Sequence, residues 1–180
     1  METNQASITK PALIMGSIAG VVCLLYSALL YMSASMAFGS LRYITYLFLA
    51  IAIFIGTKQF RDKKSGGYIS YARGLGLGTL ISLFASIINA VYVYIYMGFI
   101  NPHIIDKILE QTQIKLANNP NMTPEIMDKA MSVTKIFATP FVSALLTIVG
   151  FVFVGFIISL IIAAILQKDK PVFETSDTQA

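Results

Sequence analysis

The chain has 180 residues, of which 56% are hydrophobic and only 12% are charged, and its mean hydropathy is +0.73. Soluble domains carry about 25% charged residues, so this composition excludes an ordinary soluble globular protein. The net charge of +4 does not indicate nucleic-acid binding, because the basic residues lie between apolar stretches and do not line one face of a domain.

Four long stretches without a charged residue predict four membrane-spanning helices. A charged side chain at the centre of such a helix costs about 2.5–3.5 kcal/mol, and about 20 apolar residues cross the hydrocarbon core. We therefore predict an all-α membrane protein in which residues 1–170 form one four-helix domain. The predicted spans cover residues 13–34, 41–58, 76–99 and 141–166.

The first span raises the question of a signal peptide. Lys10 precedes it, and small residues at 33–37 loosely resemble a cleavage site. The apolar run over residues 12–32 is longer than the usual 7–15 residues of a signal peptide, which favours an uncleaved helix. The single cysteine, Cys23, has no partner for an intramolecular disulfide and is interpreted as a small packing or lipid-facing residue.

Lys and Arg near the ends of the spans predict the orientation of the chain. If four helices cross, the segments before the first span, between the second and third, and after the fourth all lie on one side. These segments are basic, whereas the turn between the first two spans has only Arg42. We therefore expect cytoplasmic N- and C-termini, with a polar, disordered cytoplasmic tail at residues 171–180. The basic residues expected on this side are Lys10, Lys58, Arg61, Lys63, Lys64, Arg73, Lys168 and Lys170.

The connection between the third and fourth spans, residues 102–137, is predicted to form two amphipathic helices outside the cytoplasm. The pairs Asn101-Pro102 and Thr123-Pro124 are typical of helix starts. Their apolar faces are expected to rest on the bundle or in the headgroup layer. These faces consist of Ile105, Ile108, Leu109, Thr112 and Leu116 in the first helix and Ile126, Met127, Ala130, Met131 and Phe137 in the second.

Two sequence blocks carry a family resemblance. They are GGYISYARGLGLGTLISLFASIINAVYVYIYMGFINPHIIDKILEQTQ and MTPEIMDKAMSVTKIFATP, and they resemble domain-of-unknown-function family 4199, which comprises small bacterial membrane proteins. The resemblance covers nearly the whole chain, although the family usually has Asp-Pro in place of Asn101-Pro102. Asn caps a helix as well as Asp does. The resemblance implies a multi-pass protein of the bacterial inner membrane and implies no catalytic residues.

The third span carries polar side chains at steps of three and four residues, which places them on one helix face. Asn89 lies near mid-membrane, where its amide needs a protein or water partner. We interpret this polar face either as interhelical packing, worth roughly 0.6 kcal/mol per hydrogen bond, or as a solute path or binding pocket. Its members are Thr79, Ser82, Ser86, Asn89, Tyr92 and Tyr96.

Small residues recur on three of the spans. Lipid gives helices no hydrophobic drive to associate, so small residues that allow close approach favour a tight bundle. A homo-oligomer formed through one of these faces, or contact with another membrane protein, remains an alternative. The residues of these faces are Gly16, Gly20, Ser27, Tyr31 and Ser35 in or directly after the first span, Gly74 and Gly78 in the third, and Ser143, Thr147, Gly150, Gly155 and Ser159 in the fourth.

Few residues carry recognisable chemistry. The only histidine, His103, has Asp106 three residues later, and an exposed position at the start of a surface helix is favoured over a catalytic pair. We therefore expect no enzyme activity, catalytic residue, metal site or cofactor. A structural or partner-binding component of the inner membrane ranks first. A transporter or channel subunit that uses the polar face is the alternative, and an enzyme that uses His103 is third.

Overall fold

The computed structural model describes residues 7–32, 40–118 and 123–168. Within them the chain is all-helical and contains no β-strand. A short 3-10 helix at Ser40–Tyr43 precedes the second α-helix, and a π-helix at Tyr96–Ile100 continues the third. The six α-helices are α1 (Thr9–Met32), α2 (Ile44–Lys64), α3 (Tyr71–Ile95), α4 (Ile104–Ala117), α5 (Pro124–Phe137) and α6 (Pro140–Leu166).

Four of these helices are long and apolar enough to cross a membrane. They are Thr9–Leu30, Ile44–Lys64, Tyr71–Ile100 and Pro140–Leu166, which confirms an all-α fold with four candidate membrane spans. Parts of the prediction lie outside the described residues, namely the end of the first span at 33–34 with Ser35 after it, the middle of the 102–137 connection at 119–122 and the tail at 171–180.

The helices extend beyond the uncharged stretches from which they were predicted. α3 begins at Tyr71 and, with its π-helical extension, contains 30 residues, or about 45 Å at 1.5 Å per residue. This exceeds the hydrocarbon core of about 30 Å, so the helix ends project from it or the helix tilts. Arg73 lies inside the first turn of α3, where its guanidinium carbon is 5.5 Å from the centre of the Phe60 ring.

α3 is the central helix of the bundle. It packs against α1, α2 and α6, while α1 and α6 each also pack against α2. Gly16 and Gly20 of α1 face successive turns of α3 in the same order, so these two helices are parallel. Gly78 of α3 faces Ser159 and Ser82 faces Gly155, in reverse order, so α3 and α6 are antiparallel.

The bundle has a largely apolar core that contains a few polar side chains, and its surface is also apolar. Among the described residues, all of the buried polar side chains are uncharged, and most of them come from α2 and α3. α6, in contrast, exposes large apolar side chains along its whole length, among them Phe153, which is 64% exposed. Soluble proteins rarely expose apolar patches of such extent. The buried polar side chains are Thr45, Thr57, Ser82, Ser86, Asn89 and Ser159.

One end of the bundle holds most of the basic residues, and we call it the basic end. Ile69, in the connection between α2 and α3, exchanges two backbone hydrogen bonds of 3.0 Å with Lys168, which follows α6. The Arg61 guanidinium donates to the Leu166 carbonyl oxygen at 3.5 Å. Because α1 runs parallel to α3, Lys10 also lies at this end. The basic segments expected to share one side therefore meet in the structure.

α4 and α5 cover the opposite end, which we call the hairpin end. Ile104 of α4 packs on Tyr96 and Met97 at the end of α3. Asn101 does not cap α4, because that helix begins at Ile104 and the Asn101 amide donates to the Tyr96 hydroxyl at 3.2 Å. All five residues of the predicted α4 apolar face are half-buried, as the amphipathic pattern predicted.

α5 begins where its sequence predicted. The Thr123 hydroxyl accepts a hydrogen bond of 3.4 Å from the Ile126 amide. Its predicted apolar face is divided, since Met127, Ala130 and Met131 are half-buried whereas Ile126 and Phe137 are exposed. α5 contacts α4 and makes few contacts with α6. The side of the membrane on which α4 and α5 lie stays a prediction.

Candidate functional site

The four long helices line a partly open cavity of about 370 Å³ in the half of the bundle nearest the hairpin end. It is lined by the last turns of α1, the first turn of α2, the last third of α3 and the first half of α6. Small polar groups from all four helices converge on it, together with several apolar side chains. The polar lining comprises Ser27, Thr45, Tyr46, Asn89, Tyr92, Ser143 and Thr147.

Asn89 joins α3 to α1 beside the cavity. Its side chain is only 3% exposed, and its amide nitrogen donates to the Gly20 carbonyl oxygen of α1 at 3.2 Å and to the Ala85 carbonyl oxygen at 2.9 Å. The missing side chain of Gly20 allows this contact, since an added β-carbon there would lie 2.8 Å from Cδ1 of Ile88. Both amide hydrogens are thus used, and within the described residues Oδ1 of Asn89 accepts no hydrogen bond.

Two hydroxyl groups in the cavity wall also lack a partner among the described residues, those of Ser27 and Thr45. Thr45 is 6% exposed, and its backbone carbonyl oxygen accepts a contact of 3.6 Å from the Cys23 thiol. The hydroxyls of Ser143 and Thr147, in contrast, each donate to a backbone carbonyl oxygen at 2.9 Å. The wall therefore presents the hydroxyls of Ser27 and Thr45 and the amide oxygen of Asn89, which are not engaged elsewhere in the described chain.

The rest of the predicted polar face lies in closely packed structure. Ser82 and Ser86 are fully buried and Thr79 is half-buried. Their hydroxyls donate to carbonyl oxygens of their own helix at 2.7–3.0 Å, so these bonds do not join α3 to a neighbour. Tyr96 is buried beneath α4. Of the six predicted residues, Asn89 and Tyr92 line the cavity.

Some lining residues had a signal in the sequence and others had none. Ser27 and Gly150 belong to the small-residue pattern, which predicted packing and not a cavity. Thr45 and Tyr46 lie at the start of the short second span, where no periodic polar pattern distinguishes them. They reach the cavity because α2 packs against both α1 and α6, and this tertiary relationship is not encoded in local spacing.

The remaining chemically capable residues are on the surface. The His103 side chain is 88% exposed, and its Nδ1 lies 3.6 Å from a carboxylate oxygen of Asp106. In the part of the chain that the structure describes, no three His, Cys, Asp or Glu side chains are grouped to hold a metal ion. Within the described part of the chain, the cavity is a grouping of polar side chains on which all four long helices converge.

One comparison with known proteins gives a match. The model of a family described as "Protein of unknown function (DUF4199)" matches residues 14–168, a range that includes the cavity and the surrounding helices. No curated protein and no solved structure matches the chain.

Proposed function

The chain belongs to the DUF4199 family, and on that premise we propose that it is a non-enzymatic integral protein of the bacterial inner membrane with a structural or partner-binding role. The observation that carries this proposal is the extent of apolar surface on the long helices. Large apolar side chains of α1, α2 and α6 are exposed along these helices, while buried Ser, Thr and Asn side chains lie among the apolar residues of the core. Lipid tails cover this apolar surface, and small residues in the interior allow the helices to approach closely.

The proposed orientation places the basic end in the cytoplasm, together with both termini. Its support is the concentration of Lys and Arg at that end, since cytoplasmic segments near membrane helices carry an excess of these residues. At the hairpin end, the lysines of α4 and α5 are balanced by Asp106, Glu110, Glu125 and Asp128.

Cysteine labelling tests this orientation. In a Cys23→Ser background, Lys64→Cys at the basic end and Gln113→Cys on α4 each add one exposed thiol. We expect a membrane-impermeant maleimide to label Gln113→Cys in intact cells, and to label Lys64→Cys only after the inner membrane is disrupted. The opposite pattern contradicts the proposed orientation, and labelling of both positions in intact cells contradicts the membrane location.

Native mass spectrometry of the protein in lipid nanodiscs tests the partner-binding role. We expect the chain to be released together with a second copy or another membrane protein in a fixed ratio. Chemical crosslinking in cells before extraction provides the control for partners acquired in detergent. A chain that is monomeric and without a partner under both conditions contradicts this part of the proposal.

A transporter or channel subunit is the second candidate, and the cavity beside Asn89 is the observation in its favour. Transport also needs a route from the cavity to the basic end. Ser82 and Gly155 are packed against each other between the two, so such a route requires α3 and α6 to separate. Solute flux into proteoliposomes that is lost in Asn89→Leu would favour this candidate over the first.

A further inference from the structure

We propose that the cavity is a binding site for a small uncharged amphiphile that carries a hydroxyl or amide group, and that it binds this ligand without conducting it. This site goes beyond the membrane role proposed above and does not depend on any partner protein. Four features of the cavity carry the inference: its size, its unpartnered polar groups, its lack of charged residues, and its closure towards the basic end.

The volume of the cavity suits a small molecule. Ligand sites in proteins have volumes of about 300–1,000 Å³, and this cavity has about 370 Å³. A volume of this size corresponds to roughly a dozen waters at about 30 Å³ each. A ligand with a single ring or a short branched chain fits such a space, whereas a folded partner segment or a whole phospholipid does not.

Polar groups in the cavity need hydrogen-bond partners. Within the described chain, the hydroxyls of Ser27 and Thr45 make no hydrogen bond, and Oδ1 of Asn89 accepts none, although Thr45 and Asn89 are more than nine-tenths buried. Unpaired polar groups are costly in low-dielectric surroundings. A ligand hydroxyl or amide carries both a donor suited to the Asn89 oxygen and an acceptor suited to a hydroxyl of the wall.

The cavity wall selects against ions. None of the described lining residues is Asp, Glu, Lys, Arg or His, so a charged ligand would lie within the membrane without a counter-charge. The other side of the cavity is apolar and suits an alkyl chain or ring. This apolar wall is formed by Leu30, Val93, Leu146 and Phe151.

The surroundings of Gly150 show that α6 borders open space there and is not packed closely against another helix. A β-carbon added at Gly150 would have no atom within 4 Å, whereas one added at Gly155 would overlap the Ser82 side chain. Both glycines lie on α6, yet only Gly155 is required for contact with α3. Beyond the cavity, the contact between Gly155 and Ser82 closes the interior towards the basic end, so the site is a pocket and not a path.

Three related probes distinguish this site from general partitioning into lipid. They are 4-tert-butylcyclohexanol, tert-butylcyclohexane and 4-tert-butylcyclohexanecarboxylate, which share a ring and differ in their polar group. We expect the alcohol to raise the Tm of the full chain in lipid nanodiscs in a saturable manner. The hydrocarbon should give a smaller rise, and the carboxylate should give none.

Two variants test the location of the site. Gly150→Phe fills the cavity without removing a contact, and it should abolish the rise in Tm that the alcohol causes. Thr45→Val removes one hydroxyl and should weaken the apparent affinity for the alcohol by up to about tenfold, the worth of one hydrogen bond. An equal response of wild type and Gly150→Phe overturns the proposal, as does an equal response to alcohol and hydrocarbon.

A fluorescent variant keeps the proposal testable if Gly150→Phe fails to fold. The chain has no tryptophan, and Leu146 is a cavity residue that is 46% exposed, so Leu146→Trp introduces a single reporter at the cavity. We expect the alcohol to shift its emission with saturation, and the carboxylate to leave it unchanged. A shift that grows linearly with the lipid-bound probe indicates partitioning alone and overturns the proposal.

Discussion

Ser82 of α3 lies directly against Gly155 of α6, and Ser159 of α6 lies against Gly78 of α3 in the same way. Each serine hydroxyl donates to the carbonyl oxygen of the glycine four residues before it, at 3.0 Å for Ser82 and 2.6 Å for Ser159. Two Gly-x-x-x-Ser segments thus form a reciprocal contact between antiparallel helices. The serines satisfy their own hydroxyls, so the contact depends on shape and not on interhelical hydrogen bonds.

This reciprocal contact predicts that Gly155→Ala destabilises the bundle. The added methyl group would overlap the Ser82 side chain, and overpacking of this kind costs about 1–3 kcal/mol. Reversible unfolding in mixed detergent micelles measures the loss. Gly150→Ala is the matched control on the same helix, because its β-carbon meets no atom within 4 Å, and it should change the free energy of unfolding little. Equal losses in the two variants would refute the packing role of Gly155.

The amide of Asn89 predicts a smaller effect on stability. Asn89→Leu removes the hydrogen bond to the Gly20 carbonyl oxygen, and interhelical hydrogen bonds in membranes are worth about 0.6 kcal/mol on average. Ser86→Ala is the control, because the Ser86 hydroxyl donates to Leu83 of its own helix at 2.7 Å. We expect Asn89→Leu to lower the free energy of unfolding more than Ser86→Ala. The same loss in both variants would mean that the contact between α1 and α3 does not depend on Asn89.

The four candidate spans and the helical nature of 102–137 were predictable because they follow from the distribution of charge and from amphipathic periodicity. The exact ends of the helices were not predictable from these patterns. α2 continues through its basic last turn to Lys64, and α3 starts at Tyr71, because charged side chains at helix ends extend into water and do not stop a helix. Thr139 directly precedes α6, but its hydroxyl donates to the Ile136 carbonyl oxygen and does not cap the helix.

The cavity was only partly predictable. Spacing predicted that Thr79, Ser82 and Asn89 share one face of α3, and in the structure Ser82 lies against α6 whereas the Asn89 amide donates to α1. Spacing alone did not show that α6 closes over Ser82 whereas the helices separate beside Asn89. That difference depends on which residue of α6 faces each turn of α3: Gly155 approaches closely at one level, and Phe151 lines the cavity at the next.

The two glycines after α2 predict a backbone effect without a steric one. Gly66 and Gly67 have φ values of 63° and 85°, and a β-carbon on either would meet no atom within 4 Å. The left-handed region costs other residues about 1–2 kcal/mol, and Asn less than most. We therefore expect Gly67→Ala to lower the free energy of unfolding by about 1 kcal/mol and Gly67→Asn to lower it less. Equal, negligible losses would show that this turn changes its conformation freely.

The exposed apolar edge of α5 predicts contact with lipid headgroups. Val133 is 50% exposed and Phe137 is 48% exposed, and amphipathic helices with such an edge lie at the boundary between headgroups and acyl chains. The tryptophan fluorescence of Val133→Trp should therefore be quenched by lipids brominated near the headgroup. Asp128→Trp places the same reporter on the polar side of α5 and should be quenched less, since its position faces water. If both tryptophans are quenched equally weakly, α5 stands clear of the bilayer and its apolar edge requires another surface, because Ile126 and Ile136 extend the same edge.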